Sequence, residues 1–85
     1  MAIKTSKAKV DEIKYEVEEE CGVIETLKNG DEIKLRYMSW NGRDPKYDIR
    51  TWYTDDEGNE KCRKGISLTG EQLIKLGELI KGLED

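Results

Sequence analysis

Histidine is absent from this chain of 85 residues, and its two cysteines, Cys21 and Cys62, form no CxxC pair. A structural zinc site therefore lacks its usual ligands. Two distant cysteines are also too few for a disulfide framework, and no segment at the N-terminus has the character of a signal peptide. These features predict a protein of a reducing, cytoplasmic compartment with no metal and no cofactor.

Motifs of catalysis and of membrane insertion are also missing. The sequence contains no GxSxG and no P-loop, and paired carboxylates occur only in turns and acidic runs. No apolar run approaches the roughly 20 residues that cross a bilayer, and the mean hydropathy is -0.84. A chain this short forms one small domain with a marginal core. We therefore expect one soluble domain that is neither an enzyme nor a membrane protein.

Charge is unevenly distributed along the chain, although the total is -4. Residues 1–33 hold five cations and nine anions, whereas residues 34–68 hold eight cations and six anions. The local field governs binding more than the net charge does. The middle segment is therefore the candidate for contacts with a polyanion.

Alternation of apolar and polar residues predicts four β-strands. Three turns separate the four strands: an Asn-Gly pair at Asn29–Gly30, a turn that ends at Pro45 and an acidic turn at 55–59. In the fourth strand we expect Ile66 and Leu68 to face the core, and Gly65 to mark a bulge or a close backbone approach. The predicted strands cover residues 13–27, 32–40, 46–54 and 60–68. In the first of them the acidic run 18–20 breaks the alternation, and Cys21–Gly22 indicates a bulge or bend.

The segment from Asp44 to Leu68 has the pattern of a β-hairpin with a cationic and aromatic surface. Side chains of a strand alternate between its two faces, so residues of one parity share a surface. In the two central strands these are Lys34, Arg36, Met38 and Trp40, and Lys46, Asp48, Arg50 and Trp52. Such a surface suits a phosphate backbone whose unpaired bases stack on aromatic rings.

A C-terminal helix is predicted from Gly70 to about Leu83, because Thr69 and Gln72 fit a capping box. Its apolar stripe is broader than one sheet face needs, and Gly77 within it costs roughly 1 kcal/mol relative to alanine. A helix that packs on its own sheet and on a second copy explains both features. The alternative is an ordinary amphipathic helix with one tolerated glycine. The residues of the predicted homodimer interface are Leu73, Leu76, Gly77, Ile80 and Leu83.

Two motifs, YDIRTW at Tyr47–Trp52 and RKGISL at Arg63–Leu68, flank an acidic turn and precede the capped helix. This combination resembles the transcriptional coactivator family called positive cofactor four. The segment Met38–Trp52 is most similar to the short bacterial branch of that family, the YdbC-like proteins. The resemblance covers about residues 15–83. It implies an α+β fold, with a curved four-stranded antiparallel sheet followed by one helix (ββββα) and dimerised through the helices. Residues 1–12 are then an N-terminal arm, and residues 13–85 the binding domain.

The resemblance also implies a function: sequence-tolerant binding of single-stranded DNA in transcription regulation or in DNA replication or repair, near the nucleoid and with contacts to the transcription machinery. Arg50 matches an arginine of the family's third strand, and Arg63–Lys64 match its basic pair before the glycine. Trp52 lies where the bacterial branch places its aromatic residue, whereas Tyr53 falls where eukaryotic members place tryptophan. Strand parity favours Trp52. The predicted nucleic-acid-binding residues are Lys34, Arg36, Trp40, Lys46, Arg50, Trp52, Arg63 and Lys64.

Alternatives to this interpretation remain open on the residues alone. The cations are compatible with solvated sheet positions, and Trp40 and Trp52 with core positions. The basic face also suits an acidic protein partner or RNA polymerase. Single-stranded RNA is a further candidate ligand, because contacts to phosphates and stacked bases do not read the 2′-hydroxyl.

Overall fold

The sheet and helix follow the predicted order. A computed structural model of the chain describes residues 14–84, so the predicted N-terminal arm (residues 1–12) and Ile13 lie outside the described part. The elements are β1 (Tyr15–Thr26), β2 (Glu32–Trp40), β3 (Lys46–Thr54), β4 (Glu60–Leu68) and the helix α1 (Gly70–Glu84). The strands form one antiparallel sheet in sequence order, with β1 and β4 at its edges.

The turns follow the chemistry of their residues. Asn41 and Gly42 both have positive φ, 52° and 76°, and the Arg43 amide donates to the Trp40 carbonyl at 3.0 Å. These are the features of a type I′ turn, whose twist matches that of the flanking strands. The predicted turn at Asn29–Gly30 is also present. There only Gly30 has positive φ, 96°, because the turn is longer than two residues.

Strand β1 is one continuous strand, and the predicted break in its alternation coincides with a register shift at the acidic run. Its register to β2 is irregular at three places, between Val17 and Glu19, between Glu20 and Gly22, and between Val23 and Glu25. The second of these confirms the predicted bulge near Cys21–Gly22. A bulge bends a strand and increases its twist, so three bulges in one strand curve this edge of the sheet strongly.

Helix α1 begins as predicted, with a capping box. The Thr69 amide donates to the Gln72 side chain at 2.9 Å, and the Gln72 amide donates to the Thr69 hydroxyl at 3.1 Å. No residue of α1 is fully buried, and no side chain or distant backbone atom lies within 4 Å of a Cβ built on Gly77. The close contact expected at Gly77 is therefore absent within one chain.

An open apolar groove of about 320 Å³ separates the helix from the sheet, and it is lined mainly by Ile49, Ile66 and Leu68 of the sheet and Leu76 and Leu79 of the helix. Ile66 is 55% exposed, so the expectation that it faces a closed core is wrong. The reason is that α1 lies beside the sheet and leaves this groove uncovered.

The most buried side chains lie on the other face of the sheet. Met38 and Asp48 have no exposed surface, Trp52 is 2% exposed and Arg36 is 4% exposed. The radius of gyration is 15.9 Å, against about 11–12 Å for a compact domain of this length. The described part of the chain is therefore elongated, and its tightest packing lies on the face that the sequence predicts to be cationic and aromatic.

Candidate nucleic-acid interface

The strand register brings the predicted cations of the two central strands together. Lys34 lies opposite Arg50, and Arg36 lies opposite Asp48. Because paired residues point to the same side of a sheet, the shared surface predicted from parity is present. The cations do not occupy solvated positions: the side chains of Lys34 and Arg50 are each 16% exposed, and that of Arg36 is 5% exposed.

The sheet curls around this surface so far that side chains from distant parts of the sheet meet. Trp40 is the last residue of β2, whereas Trp52 lies opposite Glu32 at the start of β2. The two indole rings are nonetheless nearly parallel, at 11°, with centroids 6.2 Å apart. Across the same opening, the hydroxyl of Tyr15 in β1 donates to a carboxylate oxygen of Glu60 in β4 at 3.1 Å. We call this surface the concave face.

An arginine side chain stacks on each tryptophan of the concave face. The guanidinium carbon of Arg36 lies 4.5 Å from the Trp52 ring centroid, and that of Arg50 lies 4.4 Å from the Trp40 centroid. The Tyr15 ring packs against both indoles, at 5.4 Å from Trp40 and 5.2 Å from Trp52. Cation–π pairs of this kind contribute about 0.5–2 kcal/mol each. In the free chain, the tryptophans that are predicted to stack on bases are therefore covered by other side chains of the concave face.

Arg50 is held by a buried carboxylate. Its Nε and Nη2 atoms donate to the two oxygens of Asp48, both at 2.6 Å, and the Ser67 hydroxyl donates to the same carboxylate at 2.9 Å. Burial alone would lower the pKa of Arg50, but the hydrogen bonds and charge of Asp48 outweigh it and hold the pKa above its ordinary value. Arg50 is therefore a permanently charged group in a fixed orientation.

Gly65 of β4 lies opposite Arg50 and makes room for it. A Cβ atom at this position would collide with the Arg50 Cβ and the Ile49 carbonyl oxygen, and would lie 2.9 Å from the Arg50 Nε. The register of β3 and β4 also shifts just before this point, between Arg50 and Trp52. Both parts of the prediction for Gly65, a bulge and a close backbone approach, are confirmed.

Arg36 is shared between two carboxylates from opposite edges of the sheet. Its Nε donates to Glu20 at 2.9 Å and its Nη2 donates to Glu60 at 3.3 Å. The Lys34 ammonium lies 3.5 Å from the same Glu60 carboxylate and 3.6 Å from Glu32. Within residues 14–84, the cations in the centre of the concave face are thus all paired with carboxylates of the chain itself.

Three buried donors on the concave face have no acceptor within the described residues. They are Nη1 of Arg36 and the indole nitrogens of Trp40 and Trp52. A buried donor without a partner costs about 1–3 kcal/mol, so such groups in one cluster call for an explanation. All three are donors, and a ligand rich in acceptor oxygens would satisfy them.

The remaining predicted residues lie at the margin of this face or away from it. Lys46 is exposed and, with Trp40, Arg43 and Arg50, contributes to the lining of an open cavity of about 460 Å³. Lys64 is exposed. Arg63 packs over Tyr53, 4.4 Å from the ring centroid, and lies 3.5 Å from Asp31. Because Tyr53 alternates with Trp52 along β3, Arg63 is not brought together with the concave cluster.

The sequence prediction missed three groups that the structure adds to the concave face: Tyr15, Glu20 and Glu60. Glu60 has the parity of Cys62, which pairs with Trp52, so alternation along the fourth strand was a usable signal. No comparable signal existed for Tyr15 or Glu20, because their contacts depend on the curl and the bulges of β1. The predicted role of every site residue in binding stays a prediction.

The fold and this cationic, aromatic face define a small α+β domain of the nucleic-acid-binding class. A family model described as "Transcriptional Coactivator p15 (PC4)" matches residues 27–79, and the chain belongs to this family. The resemblance predicted from the two motifs is thereby confirmed. The PC4 family has a non-enzymatic, nucleic-acid-binding fold, and it binds single-stranded DNA and interacts with the transcription machinery. The match begins after β1, so Tyr15 and Glu20 lie outside it.

A bacterial relative is similar over a longer part of the chain than the family model. A protein of Treponema pallidum (strain Nichols), described as an uncharacterized protein, is 38% identical over 73 residues, which are 86% of this chain and 82% of that protein. Within residues 14–84, no helix is long and apolar enough to cross a membrane. The same part of the chain contains no group of three or more Cys, Asp or Glu side chains that could hold a metal ion.

Proposed function

We propose that this chain binds single-stranded DNA with little sequence preference, as a homodimer, in transcription regulation or in DNA replication or repair. The observation that carries the proposal is a cluster on one face. It consists of two stacked tryptophans, two arginines stacked on them, and three donors that have no acceptor within residues 14–84. Phosphates of a strand would meet the cations, and unpaired bases would meet the rings. Family membership supports the choice of ligand and contact with the transcription machinery.

On binding, contacts of the tryptophans with side chains of the protein are replaced by stacking on bases of the strand. Trp52 is almost fully buried, so a base can reach it only when Arg36 or Tyr15 moves aside. A stacked base contributes about 1–3 kcal/mol, and a cation–π pair about 0.5–2 kcal/mol, so the exchange is close to balanced before phosphate contacts are counted. Trp40 is half-buried and borders the open cavity near Lys46. The strand therefore enters at the Trp40 end.

The homodimer is supported by the uncovered apolar surface of α1. Leu79 is 58% exposed, Ile80 49% and Leu83 85%, and Ile66 at the neighbouring groove is 55% exposed. Exposed apolar patches of this kind mark association surfaces on small soluble domains. The proposed interface is the helix stripe of Leu73, Leu76, Gly77, Ile80 and Leu83, with Leu73 and Leu76 half-buried already in one chain.

The decisive experiment is a competition measurement by fluorescence anisotropy. A labelled single-stranded DNA is bound at two salt concentrations and competed with the same sequence as unlabelled single strand, as duplex and as single-stranded RNA. We expect the binding to be salt-sensitive, and we expect the duplex to be a weak competitor. Light scattering of the same sample gives the mass of the free protein, for which we expect two chains. Absence of binding at low salt would contradict the proposal and favour a protein partner for the concave face.

A further inference from the structure

Glu60 is an anion in the middle of the proposed phosphate-binding surface. It is the first residue of β4, and its side chain reaches over the concave face. One carboxylate oxygen accepts a hydrogen bond from Tyr15 at 3.1 Å, and the other lies 3.3 Å from Nη2 of Arg36 and 3.5 Å from Nζ of Lys34. Two of the predicted phosphate-binding cations are therefore already engaged by one internal carboxylate.

The second carboxylate of this surface, Asp48, is held in a different way. Asp48 is fully buried and makes two hydrogen bonds of 2.6 Å with Arg50, which is short even for a charge-assisted pair. The contacts of Glu60 with Arg36 and Lys34 are longer, at 3.3 Å and 3.5 Å, and its side chain is 39% exposed. Asp48 is therefore a fixed part of the fold, whereas Glu60 can be displaced.

An unsatisfied donor lies beside the Glu60 carboxylate. Nη1 of Arg36 is buried without a partner within the described residues, and Arg36 is only 4% exposed. The Glu60 carboxylate reaches Nη2 of the same guanidinium and leaves Nη1 empty. A phosphodiester also presents two equivalent anionic oxygens, and phosphate is an acceptor group that guanidinium binds with two parallel hydrogen bonds. It can therefore fill the place of the carboxylate and use the donor that Glu60 leaves free.

We propose that the Glu60 carboxylate occupies the position that a phosphate group of the bound strand takes, and that this internal competition sets the affinity of the concave face. The inference rests on the proposed single-strand binding. When a phosphate displaces Glu60 from Arg36 and Lys34, the contact between Glu60 and Tyr15 is also lost. That contact bridges the edge strands β1 and β4, so its loss opens access to Trp52.

The test compares two variants with the same charge change. Glu60→Gln removes the competing charge and keeps the side-chain shape, while Glu57→Gln removes a charge from the neighbouring turn, where Glu57 is exposed and forms no ion pair within residues 14–84. We expect Glu60→Gln to bind a labelled single-stranded oligonucleotide about 5-fold more tightly than Glu57→Gln at low salt. This factor corresponds to the free-energy contribution of one exposed ion pair. Glu57→Gln should bind like the wild type.

A second measurement uses the wild-type chain and needs no variant to fold. On addition of the oligonucleotide, the carboxyl carbon resonance of Glu60 should shift, and that of Glu57 should stay in place. Equal affinities of the two variants, or an unmoved Glu60 resonance in a wild-type chain that binds, would overturn the inference and leave the proposed function standing. If neither the wild type nor Glu60→Gln binds at low salt, both are overturned.

Discussion

Arg50 is held by groups from each of the strands around it. Asp48 of its own strand pairs with its guanidinium, Trp40 of β2 lies beneath it, and Gly65 of β4 leaves the space that it needs. The Cys62 sulfur lies 4.0 Å from its Nη1. A residue fixed on all sides loses little freedom on meeting a ligand. Its position, rather than its charge alone, makes Arg50 the best-prepared of the proposed phosphate contacts on the concave face.

Substitution of Gly65 tests whether the fixed position of Arg50 matters for binding. Gly65→Ala places a Cβ against Arg50 and the backbone of β3, and such overpacking costs about 1–3 kcal/mol. We expect chemical denaturation to show this loss of stability. We also expect weaker single-strand binding, with a salt slope lower by about 0.7 for one lost phosphate contact.

Gly82→Ala is the control for Gly65→Ala, because within residues 14–84 no atom outside its own stretch of helix lies within 4 Å of its Cβ position. It should keep the salt slope of the wild type and at least its stability, because glycine in a helix costs roughly 1 kcal/mol relative to alanine. A Gly65→Ala variant that kept them as well would contradict the role assigned to the close approach at Arg50.

The two tryptophans should respond differently to truncation. Trp52 is 2% exposed, so Trp52→Ala should destabilise the fold by about 3–5 kcal/mol. Trp40 is half-buried at the open cavity, so Trp40→Ala should act mainly on binding. The loss of one stacked base predicts affinity that is about 5- to 150-fold weaker.

The phenylalanine variants at the same two positions separate ring loss from general disruption, because they keep an aromatic face. Urea denaturation and anisotropy titration on each variant give the two free energies. Loss of folding in Trp40→Ala would place Trp40 in the core instead of the binding platform.

At the scale of elements, the β3–β4 turn is organised by one carboxylate. Asp55 accepts hydrogen bonds from the amides of Glu57 and Asn59, both at 2.9 Å. Hydrogen bonds from the Asn59 and Glu57 amides hold the pKa of Asp55 below its ordinary value of 3.8, although desolvation acts in the opposite direction. Glu60 at the start of β4 behaves similarly: burial would raise its pKa, but the hydrogen bond and charge of Arg36 lower it below 4.5.

These lowered pKa values make the turn sensitive to acid. A carboxyl group whose pKa is lower in the folded state stabilises the fold above its unfolded pKa, and this contribution is lost as the pH falls through the folded pKa. We therefore expect stability to decline as the pH falls below about 4. Asp55→Asn should be less stable than the wild type at pH 7 and closer to it at pH 3 in urea denaturation. An unchanged difference at both pH values would contradict the assignment.

The local elements were largely readable from the sequence, because their causes are local. Pro45 and the turn residues fixed the bounds of β3 and β4, and Thr69 with Gln72 fixed the start of α1. Parity also grouped Lys34, Arg36 and Arg50 correctly on one face. The resemblance implied a curved sheet, but the extent of the curl was not readable, because it arises from the bulges of β1 and from long-range contacts such as that between Tyr15 and Glu60. For the same reason the sequence left open whether Trp52 occupies a core position.

At the scale of the whole molecule, one chain has two faces of opposite character. The concave face is closed by its own side chains, whereas the groove between sheet and helix stays open and apolar. A small domain with so few buried apolar residues is marginal alone. Association through the helix would add apolar burial at the face that lacks it and leave the concave face free for a strand.

A charge on the helix stripe should separate the chains. Ile80→Glu places a carboxylate where the proposed interface excludes water, and an unpaired buried charge is strongly unfavourable. We expect light scattering to show a single chain at concentrations where the wild type is a dimer, with lower thermal stability.

Val23→Glu is the control for Ile80→Glu, because Val23 is similarly exposed, at 51%, but lies on β1 away from the helix. It should leave the mass unchanged. A wild-type chain that is itself monomeric, or an Ile80→Glu dimer, would contradict the proposed interface.

The irregular register of β1 has a further consequence, for the behaviour of the protein in concentrated solution. A twelve-residue edge strand with Val23 and Ile24 exposed is a template on which strands of other molecules can add to form aggregates. The three bulges interrupt its row of free amides and carbonyls, and the acidic run 18–20 repels a second copy. The same irregularities that curve the sheet thus guard its open edge against polymerisation.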